Sequence, residues 1–376
     1  MTSFGRRHVE HTSMGDRVQR MGGVSRGGSI AGDAGGVGGV GGVATVVRPG
    51  AYTTLQDAGR TGYRNLGLTV GGALDLDAMR LANAIVGNPP NTPALECTGV
   101  GPEIRFDRPV CVGLCGGDFS VWVDDEPVSV GRPLWIAAGS LLRIGAARSG
   151  YRLYMSVRGG FCVDDVLGSA STLARFGIGG WAGRPLSAGD RLPFRQTAEP
   201  PNGRSLRQET ASVVSTPWRI DPDVFRPDLV DADGHVVLRA MEGEQYPLFD
   251  ADAVRHFWAS TFVVDGRSDR MGIRLKGSHV PSQAGSMSSE PVVPGTVQVP
   301  PSGEPIVLLP ECQTTGGYAK IATVIGADIR VLAQLRPGDR LRFTRVALDE
   351  AVQLRKRRFA AIKALMMEIQ THVGDI

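Results

Sequence analysis

The chain has 376 residues, enough for two domains with substantial hydrophobic cores. Its composition, 42% hydrophobic and 21% charged, is ordinary for a globular protein, and its net charge of +3 is too small to predict binding to nucleic acid or to an acidic membrane. No apolar run reaches the length of a membrane span, and no signal peptide is visible. We therefore expect a cytoplasmic protein with no nucleic-acid or membrane partner.

The cysteines and histidines give no sign of a crosslink or a metal. Five cysteines include no CxxC pair, and their odd number argues against a disulfide framework. Six histidines are scattered without the spacing of metal ligands. We expect no structural metal in this chain.

Residues 1–43 differ in composition from the rest of the chain. Residues 22–42 contain 11 glycines, and the segment has too few apolar residues to offset its ordering entropy, which predicts a disordered tail. Its GVGGVG at 36–41 matches the GxGxxG pattern of dinucleotide-binding loops. A strand-like VATVV follows it, however, where that motif requires a helix, so we attribute the match to chance.

From Thr45 onward, short runs rich in Val and Ile recur every 8–12 residues, which predicts a mainly β fold. The strands are predicted at 119–125, 140–145, 152–157, 235–241, 261–265, 271–277, 305–309 and 328–335. A helix is predicted over 75–86, with Asp75 as its N-cap. A second helix is predicted in the C-terminal segment 347–376, where an apolar stripe comprises Val352, Phe359, Ile362, Leu365, Met366 and Ile369. The RKRR sequence at 355–358 is interpreted as a solvated face.

An internal repeat predicts two similar domains. LSAGDRLPF (186–194) and LRPGDRLRF (335–343) share the pattern L-x-x-GDRL-x-F, each at the end of a β-rich half. The simplest cause is a pair of β-barrel domains that each end with a Gly-Asp turn into a strand. This divides the chain into a first domain at 44–195, a linker at 196–217, a second domain at 218–346 and the C-terminal helix.

The first polar cluster is TLQDAGRTGYRNLG at 54–67, followed by GGALD at 71–75. Gln56, Asp57, Arg60, Tyr63 and Arg64 lie within nine residues. The candidate site residues in these two phrases are Gln56, Asp57, Arg60, Tyr63 and Asp75. An arginine beside an aspartate either fixes a loop or binds a carboxylate or phosphate, and composition alone slightly favours the first.

The second cluster, DGRSDRMGIR at 265–274, places Asp269 among arginines that include Arg270 and Arg274. These arginines either hold an anionic substrate or complete a network of ion pairs. A carboxylate among arginines stays ionised and is a poor general base.

The third cluster is QTTGGYAK at 313–320. The backbone around Gly316 and Gly317 is a candidate nest for an oxyanion or phosphate, and Gln313 can donate and accept hydrogen bonds as an amide ligand requires. Lys320 supplies a positive charge or, with a depressed pKa, a base. The alternative is a Gly-Gly hairpin, but two glycines alone would form one, so the additional polar groups favour a binding function.

These clusters lie within phrases that resemble the biotin-dependent carboxyltransferase / allophanate hydrolase subunit 2 family, which includes the C subunit of 5-oxoprolinase and a kinase-inhibitor antagonist. The resemblance runs from about Val46 to Val346. Its main phrases are PGAYTTLQDAGRTGY (49–63), ALECTGVGPEIRF (94–106), SDRMGIRLKG (268–277), VPGTVQVPPSGEPIVLL (293–309) and QTTGGYAKIATVI (313–325). Glu311 and Cys312 stand where the family usually has Asp-Arg, which removes one expected anion contact.

The resemblance implies two cyclophilin-like β-barrel domains and a partner, subunit 1 of the same family. From the three clusters themselves we expect catalytic roles for Lys320, Gln313, Asp57 and Asp269. A substrate amide or ureido group would be bound by residues of the three clusters and by Gln298, which precedes the third. The residues from the clusters are Gln56, Arg60, Tyr63, Asp75, Arg270, Arg274, Thr314, Thr315, Gly316, Gly317 and Tyr318.

Three functions are compatible with this resemblance. The first is opening of 5-oxoproline to glutamate at the expense of ATP, with its Mg²⁺, in a complex that adds a third, lactam-hydrolase subunit. The second is carboxyl transfer from carboxybiotin to urea or a similar amide. The third is non-catalytic antagonism of a kinase-inhibitor partner. The chain lacks a biotin-carrier Met-Lys-Met phrase and an ATP-grasp-like region, so we do not expect it to act as a complete carboxylase.

Overall fold

The first half of the chain folds as one ten-stranded sheet. The computed structural model describes residues 39–195, 212–221, 224, 229–284 and 287–373. The strands of this sheet are β1 (Gly42–Arg48), β2 (Tyr52–Gln56), β3 (Ala94–Thr98), β4 (Glu103–Phe106), β5 (Val110–Val123), β6 (Glu126–Pro127), β7 (Pro133–Ile136), β8 (Leu141–Val157), β9 (Arg191–Phe194) and β10 (Val213–Ser215).

The main path of this sheet is β10-β7-β5-β8-β4-β1-β9, with β2, β3 and β6 paired beside it. In β1, Ala44 lies opposite Phe106 of β4 and Leu192 of β9, and all three side chains are buried. Alternate residues of β1 face the core, as a half-buried strand requires.

The second half closes into a seven-stranded barrel. Its strands are β11 (Val236–Glu242), β12 (Phe262–Val264), β13 (Gly272–Lys276), β15 (Thr296–Val299), β16 (Ile306–Leu308), β18 (Ala319–Val324) and β19 (Arg340–Arg345). The order is β11-β18-β15-β16-β13-β12-β19, and the parallel pairing of β19 with β11 closes the ring. Two short strands, β14 (Glu290–Pro291) and β17 (Thr315–Gly316), form a separate ribbon beside it. The predicted mainly β fold is confirmed.

The repeated GDRL phrase forms the same turn in both halves. Gly189 donates its N–H to the Val46 carbonyl and Gly338 to the Val264 carbonyl, at 2.8 and 2.9 Å. Both glycines have φ near +90°, a conformation that side chains disfavour. In each copy the following aspartate accepts a backbone N–H from the residue three positions earlier, at 2.7 and 2.8 Å. The repeat is therefore a structural duplication of the turn that leads into β9 and β19.

Four α-helices occur in the described part of the chain: α1 (Leu76–Ile85), α2 (Ala251–Ala259), α3 (Ile329–Gln334) and α4 (Leu348–Val373). The predicted N-cap of α1 is present, because the Asp75 carboxylate accepts the Ala78 N–H at 3.1 Å. The C-terminal helix α4 packs back on α1 through Ile362 and Ile369. None of the helices in the described ranges is long and apolar enough to cross a membrane.

The run at 328–335, predicted as a strand, is instead the helix α3. Its apolar residues Val331, Leu332, Ala333 and Leu335 are all buried. A short helix that is buried in this way has a continuous apolar sequence, which periodicity cannot distinguish from that of an interior strand. Asp328 precedes the helix, and its carboxylate binds the Arg239 guanidinium and backbone N–H. This tertiary contact favours the helical turn over an extended run.

Two predicted boundaries and part of one stripe are also wrong. Gly42 and Val43, assigned to the tail, pair with Phe194 and Pro193 in the first sheet. Val213–Ser215, assigned to the linker, form β10. In α4, Val352 and Phe359 are exposed because the helix meets α1 only along its later turns. The rest of the predicted tail, 1–38, and the linker segment 196–211 lie outside the described residues.

Candidate functional site at the junction of the two halves

Lys320 is the centre of a cluster of charges on the barrel. It lies on β18, is only 6% exposed, and its Nζ donates to Glu244 Oε2 at 2.7 Å and Glu290 Oε2 at 2.8 Å. Burial by itself would lower the pKa of Lys320, but the bonds to the two glutamates outweigh it and raise that pKa. Lys320 is therefore held as an ammonium ion, which excludes the depressed pKa that a lysine base requires.

Two glutamine side chains meet beside this lysine. Gln298 on β15 lies opposite Lys320 in the strand register and is 1% exposed. Its Oε1 accepts a hydrogen bond from Gln313 Nε2 at 3.5 Å, while its Nε2 has no hydrogen-bond partner among the described residues. A buried N–H donor without a partner costs free energy, so a water molecule or a ligand that accepts a hydrogen bond from this amide would be stabilising.

Gly316 leaves space for that amide. A Cβ at this position would lie 2.5 Å from Gln298 Nε2, so a residue with a side chain would displace that amide. Gly317 is less constrained, since a Cβ there would be 3.1 Å from the Met287 carbonyl oxygen. A glycine at 316 thus allows the buried Gln298 amide to keep its position.

The segment that contains these glycines is a strand, which contradicts both the predicted nest and the hairpin alternative. Thr315 and Gly316 form β17 and pair with Pro291 and Glu290 of β14. Neither Gly316 nor Gly317 has a positive φ, so their N–H groups do not form the concave nest that such values produce. Thr315 and Tyr318 are exposed and Thr314 is half-buried.

A loop of the first domain borders this segment through Arg64. One Nη of Arg64 donates to the carbonyls of Val292 and Thr314, the second at 3.4 Å, and Gly71 N–H donates to the Pro310 carbonyl at 3.2 Å. The other nitrogen, Nη1, is buried and has no partner in the described ranges. Burial raises the pKa of the neighbouring Cys312 thiol, and the charge of Arg64 opposes that rise. The Arg64 guanidinium therefore lies beside Cys312, the position at which the family usually has an arginine.

Arg270 joins the two halves through a buried network of charges. It is 5% exposed, bonds to Glu96 of β3 and to the Gly72 carbonyl of the first domain, and its Nε donates to Glu311 at 2.9 Å. Glu96 also accepts from Tyr154 Oη at 2.6 Å and the Leu74 N–H at 3.0 Å. Burial would raise the pKa of Glu96, but Arg270 and Arg152 lower it overall. Each nitrogen of the Arg270 guanidinium makes a bond within the protein, which is a structural role, and the predicted contact with substrate stays a prediction.

Asp75 extends this network to the barrel. It is 3% exposed, and besides capping α1 it accepts from Gln334 Nε2 at 2.8 Å. Gln334 Oε1 in turn accepts the N–H groups of Tyr151 and Arg152. Burial raises the pKa of Asp75. Its contacts are structural, and the predicted substrate contact is not supported.

The remaining residues of the first cluster hold the 166–172 segment. Asp57 accepts from Ser169 Oγ at 2.6 Å and the Ala170 N–H at 2.7 Å, and Arg60 Nη2 donates to the Ser171 carbonyl at 2.7 Å. Asp57 and Arg60 each bind this segment, so the paired arrangement expected of them is absent. Burial lowers the pKa of Arg60, which is 1% exposed, and its Nη1 has no partner among the described residues.

Gln56 and Tyr63 occupy the surroundings of that segment. Gln56 is buried and donates to the Thr54 hydroxyl at 2.9 Å and to the Thr172 carbonyl at 3.2 Å. Tyr63 packs in a small apolar cluster with Leu68 and Leu173.

Asp269 and Arg274 are both exposed, and the bonds described for them are to neighbouring residues of their own segment. Asp269 is exposed and accepts the backbone N–H groups of Met271 and Gly272 at 2.8 and 3.2 Å, as a turn residue does. Arg274 is exposed on β13, opposite in direction to the buried Ile273 and Leu275. The catalytic role expected for Asp269 stays a prediction.

Sequence reasoning missed the acidic partners of the site. Glu244 and Glu290 hold Lys320, and Gln245 donates to Glu290 at 2.9 Å. Neither glutamate lies in a phrase with a recognisable pattern, and each is far from Lys320 along the chain. Glu311 is visible in the sequence only as part of a departure from the family pattern, which does not indicate Arg270 as its partner.

The fold and the site define a mainly β protein of two linked halves, with a buried polar cluster where they meet. Comparison with known proteins agrees. The family model of the carboxyltransferase domain, subdomain A and B, matches residues 66–345. The C subunit of the 5-oxoprolinase of Escherichia coli is 38% identical over 314 residues, 83% of this chain and 94% of that protein. The corresponding subunit of Haemophilus influenzae is 37% identical over 81% of this chain and 91% of its own length.

Larger enzymes contain a similar region. The urea amidolyase of Saccharomyces cerevisiae is 30% identical over 85% of this chain, which spans only 17% of that protein. The crystal structure of the K. lactis urea amidolyase superposes with a TM-score of 0.74 at 29% identity, over 85% of this chain and 20% of that one. The chain therefore belongs to the carboxyltransferase domain family, subdomain A and B, whose members named above are parts or subunits of enzymes.

Proposed function

We propose that this chain is subunit 2 of a heteromeric, ATP-dependent 5-oxoprolinase, which opens 5-oxoproline to glutamate together with subunit 1 and a lactam-hydrolase subunit. The proposal is supported by 38% identity over 94% of the C subunit of a 5-oxoprolinase. Identity to the urea amidolyases is lower, at 30–31%. The polar cluster around Lys320 supplies the chemistry that such a substrate needs.

A lactam presents a carbonyl oxygen that accepts hydrogen bonds and a ring N–H that donates one. Gln298 Nε2 is the unpaired donor for the carbonyl, and the Gln313 amide can accept the ring N–H. Lys320 carries three N–H donors, of which two serve Glu244 and Glu290. The third can stabilise the negative charge that develops on the carbonyl oxygen when the ring opens.

The unpaired guanidinium nitrogen of Arg64 is the observation that favours 5-oxoproline over urea. Its buried Nη1 has no partner among the described residues, while its other Nη contacts the Thr314 carbonyl, next to Gln313. A carboxylate is the natural ligand for such a group. 5-Oxoproline has a carboxylate, and urea is neutral.

The nucleotide is assigned to the complex rather than to this cluster. The glycine segment does not fit a phosphate group, since Gly316 is paired with the acidic Glu290 and neither glycine has a positive φ. No step is routed through ATP or its Mg²⁺ at these residues.

The test is reconstitution of the complex with its cognate subunits. Glutamate formation should require ATP, 5-oxoproline and this chain, and Arg64→Lys should raise the KM for 5-oxoproline about tenfold, since a charge-assisted hydrogen bond contributes about 1.5 kcal/mol or more. The matched control is Arg191→Lys, at an exposed arginine on β9. A complete complex that forms no glutamate would overturn the proposal.

Carboxyl transfer from carboxybiotin to urea or another amide is the second candidate. It is favoured by the match to the urea amidolyases and the TM-score of 0.74. The same two glutamines and Lys320 would bind a ureido group. Urea-dependent consumption of carboxybiotin, in the presence of a biotin carboxylase and carrier, would support this function instead.

A further inference from the structure

A second concave site lies between the two halves, outside the polar cluster around Lys320. It is a cleft of about 550 Å³, within the size range of small-molecule sites, which are often found between domains. One wall is formed by residues 116–119, 128–130 and 148–150 of the first half. The other wall is formed by 230, 234, 236, 331, 334–336 and 339–340 of the second, with Arg219 at the edge.

The cleft carries more positive than negative charge. Four arginines line it, Arg148, Arg219, Arg336 and Arg340, against two carboxylates, Asp118 and Asp339. Both carboxylates are already engaged. Asp118 binds Arg148 through two bonds of 2.6 and 3.1 Å, and Asp339 accepts the Arg336 N–H at 2.8 Å with the Arg336 guanidinium 3.6 Å away.

Arg219 and Arg340 therefore supply the excess charge. Arg219 is exposed at the edge of the cleft, and its positive charge adds to the effect of burial in lowering the pKa of Arg132. Arg340 is exposed on β19, directly after the repeated turn. These two arginines come from different parts of the fold and reach the same cleft, an arrangement that attracts an anion with more than one charge.

The rest of the lining is apolar or backbone. Val128, Val130, Val236, Val331 and Leu335 line the cleft between the arginines. The floor is kept low by Gly150, where a Cβ would be 2.9 Å from both Gln334 Oε1 and the Gly117 Cα. A ligand with an apolar portion can therefore lie against the valines while its anionic groups meet the arginines.

We propose that this cleft binds a small organic polyanion, with phosphate or carboxylate groups held by Arg219 and Arg340 and an apolar part against the valine wall. The site is distinct from the polar cluster around Lys320, and the proposal does not depend on the proposed function. Its floor residue Gln334 also bonds to Asp75, so a bound ligand would lie on the network that joins the two halves.

Isothermal titration of the full chain with two probes tests the proposal. ATP offers phosphates and a flat apolar base, and citrate offers carboxylates alone. We expect saturable binding of at least one probe, with ATP tighter if the valine wall contributes. Arg219→Gln/Arg340→Gln should weaken that binding at least tenfold, and added KCl should weaken it further.

The control is Arg108→Gln/Arg191→Gln, which removes the same charge at exposed positions outside the lining. All four positions are exposed, so thermal midpoints should be unchanged. Arg219→Lys/Arg340→Lys should retain part of the binding. Equal weakening in both glutamine variants would reveal non-specific attraction, and absence of saturable binding at about millimolar probe would equally overturn the proposal.

Discussion

At the scale of single residues, Lys320 has a structural role between two glutamates and a proposed role in catalysis. It is buried between two carboxylates that would repel each other without it. We expect Lys320→Met to lower turnover by about 10²-fold, the scale of losing one positioned electrostatic donor, and also to lower the thermal midpoint. An exposed lysine could be removed with little loss of stability, but this side chain is buried.

The two effects can be separated with a second substitution. In Lys320→Met/Glu290→Gln one of the facing charges is removed, so stability should recover while turnover stays low. Turnover and thermal midpoint measured together on both variants decide the matter. Recovery of turnover in the double variant would make Lys320 purely structural.

Gly316 should be far less tolerant than Gly317. The Cβ of an alanine at 316 would displace the Gln298 amide, whereas that of an alanine at 317 would lie 3.1 Å from the Met287 carbonyl oxygen. Displacement of a substrate-binding amide by about 1 Å costs roughly 10²-fold in rate, so we expect that loss for Gly316→Ala and near-normal kcat/KM for Gly317→Ala. Steady-state kinetics of the two variants is the measurement, and equal rates would contradict the position assigned to Gln298.

At the scale of elements, the ion pair between Glu96 on β3 and Arg270, just before β13, should make the free energy of unfolding depend on pH. The pKa of Glu96 lies below its ordinary value of 4.5, so its contribution is present above that pH and is lost as pH falls through the lower folded value. Glu96→Gln should cost about 3–5 kcal/mol at pH 7, because Arg270 and Arg152 lose a buried partner.

That cost should shrink when both proteins are compared in acid. Denaturant midpoints of the native chain and Glu96→Gln at pH 7 and at pH values below 4.5 provide the measurement. A difference that stays constant over this range would show that the Glu96 carboxylate is not held ionised by the two arginines.

At the scale of the whole molecule, α4 returns the end of the chain to the first half. Ile362 is 5% exposed against α1, while Phe359, one turn earlier in the same sequence stripe, is 65% exposed. We expect Ile362→Ala to lower the free energy of unfolding by about 2–4 kcal/mol and Phe359→Ala by about 0.5 kcal/mol or less. Chemical denaturation of the two variants is the check, and the reverse order would place the other face of α4 on α1.

Much of the architecture was predictable from local sequence. Asp75 as the N-cap of α1, the alternation of Ile273 and Leu275 with Arg274, and the paired GDRL turns depend on neighbours within a few residues. Such signals are carried by backbone geometry and side-chain period, which act at short range. The family resemblance rested on the same kind of continuous phrases, and comparison with known proteins confirmed it.

What the sequence by itself determined was a mainly β chain with a duplicated turn, an N-capped helix and a polar segment at 313–320. Only the tertiary structure decided that Lys320 lies between Glu244 and Glu290, that Gly316 leaves space for Gln298, and that Arg270 bridges the two halves. These outcomes depend on contacts between residues from 18 to more than 170 positions apart. Burial and pairing at such separations are fixed by the closing of the barrel and its packing on the first sheet, which no short window of sequence contains.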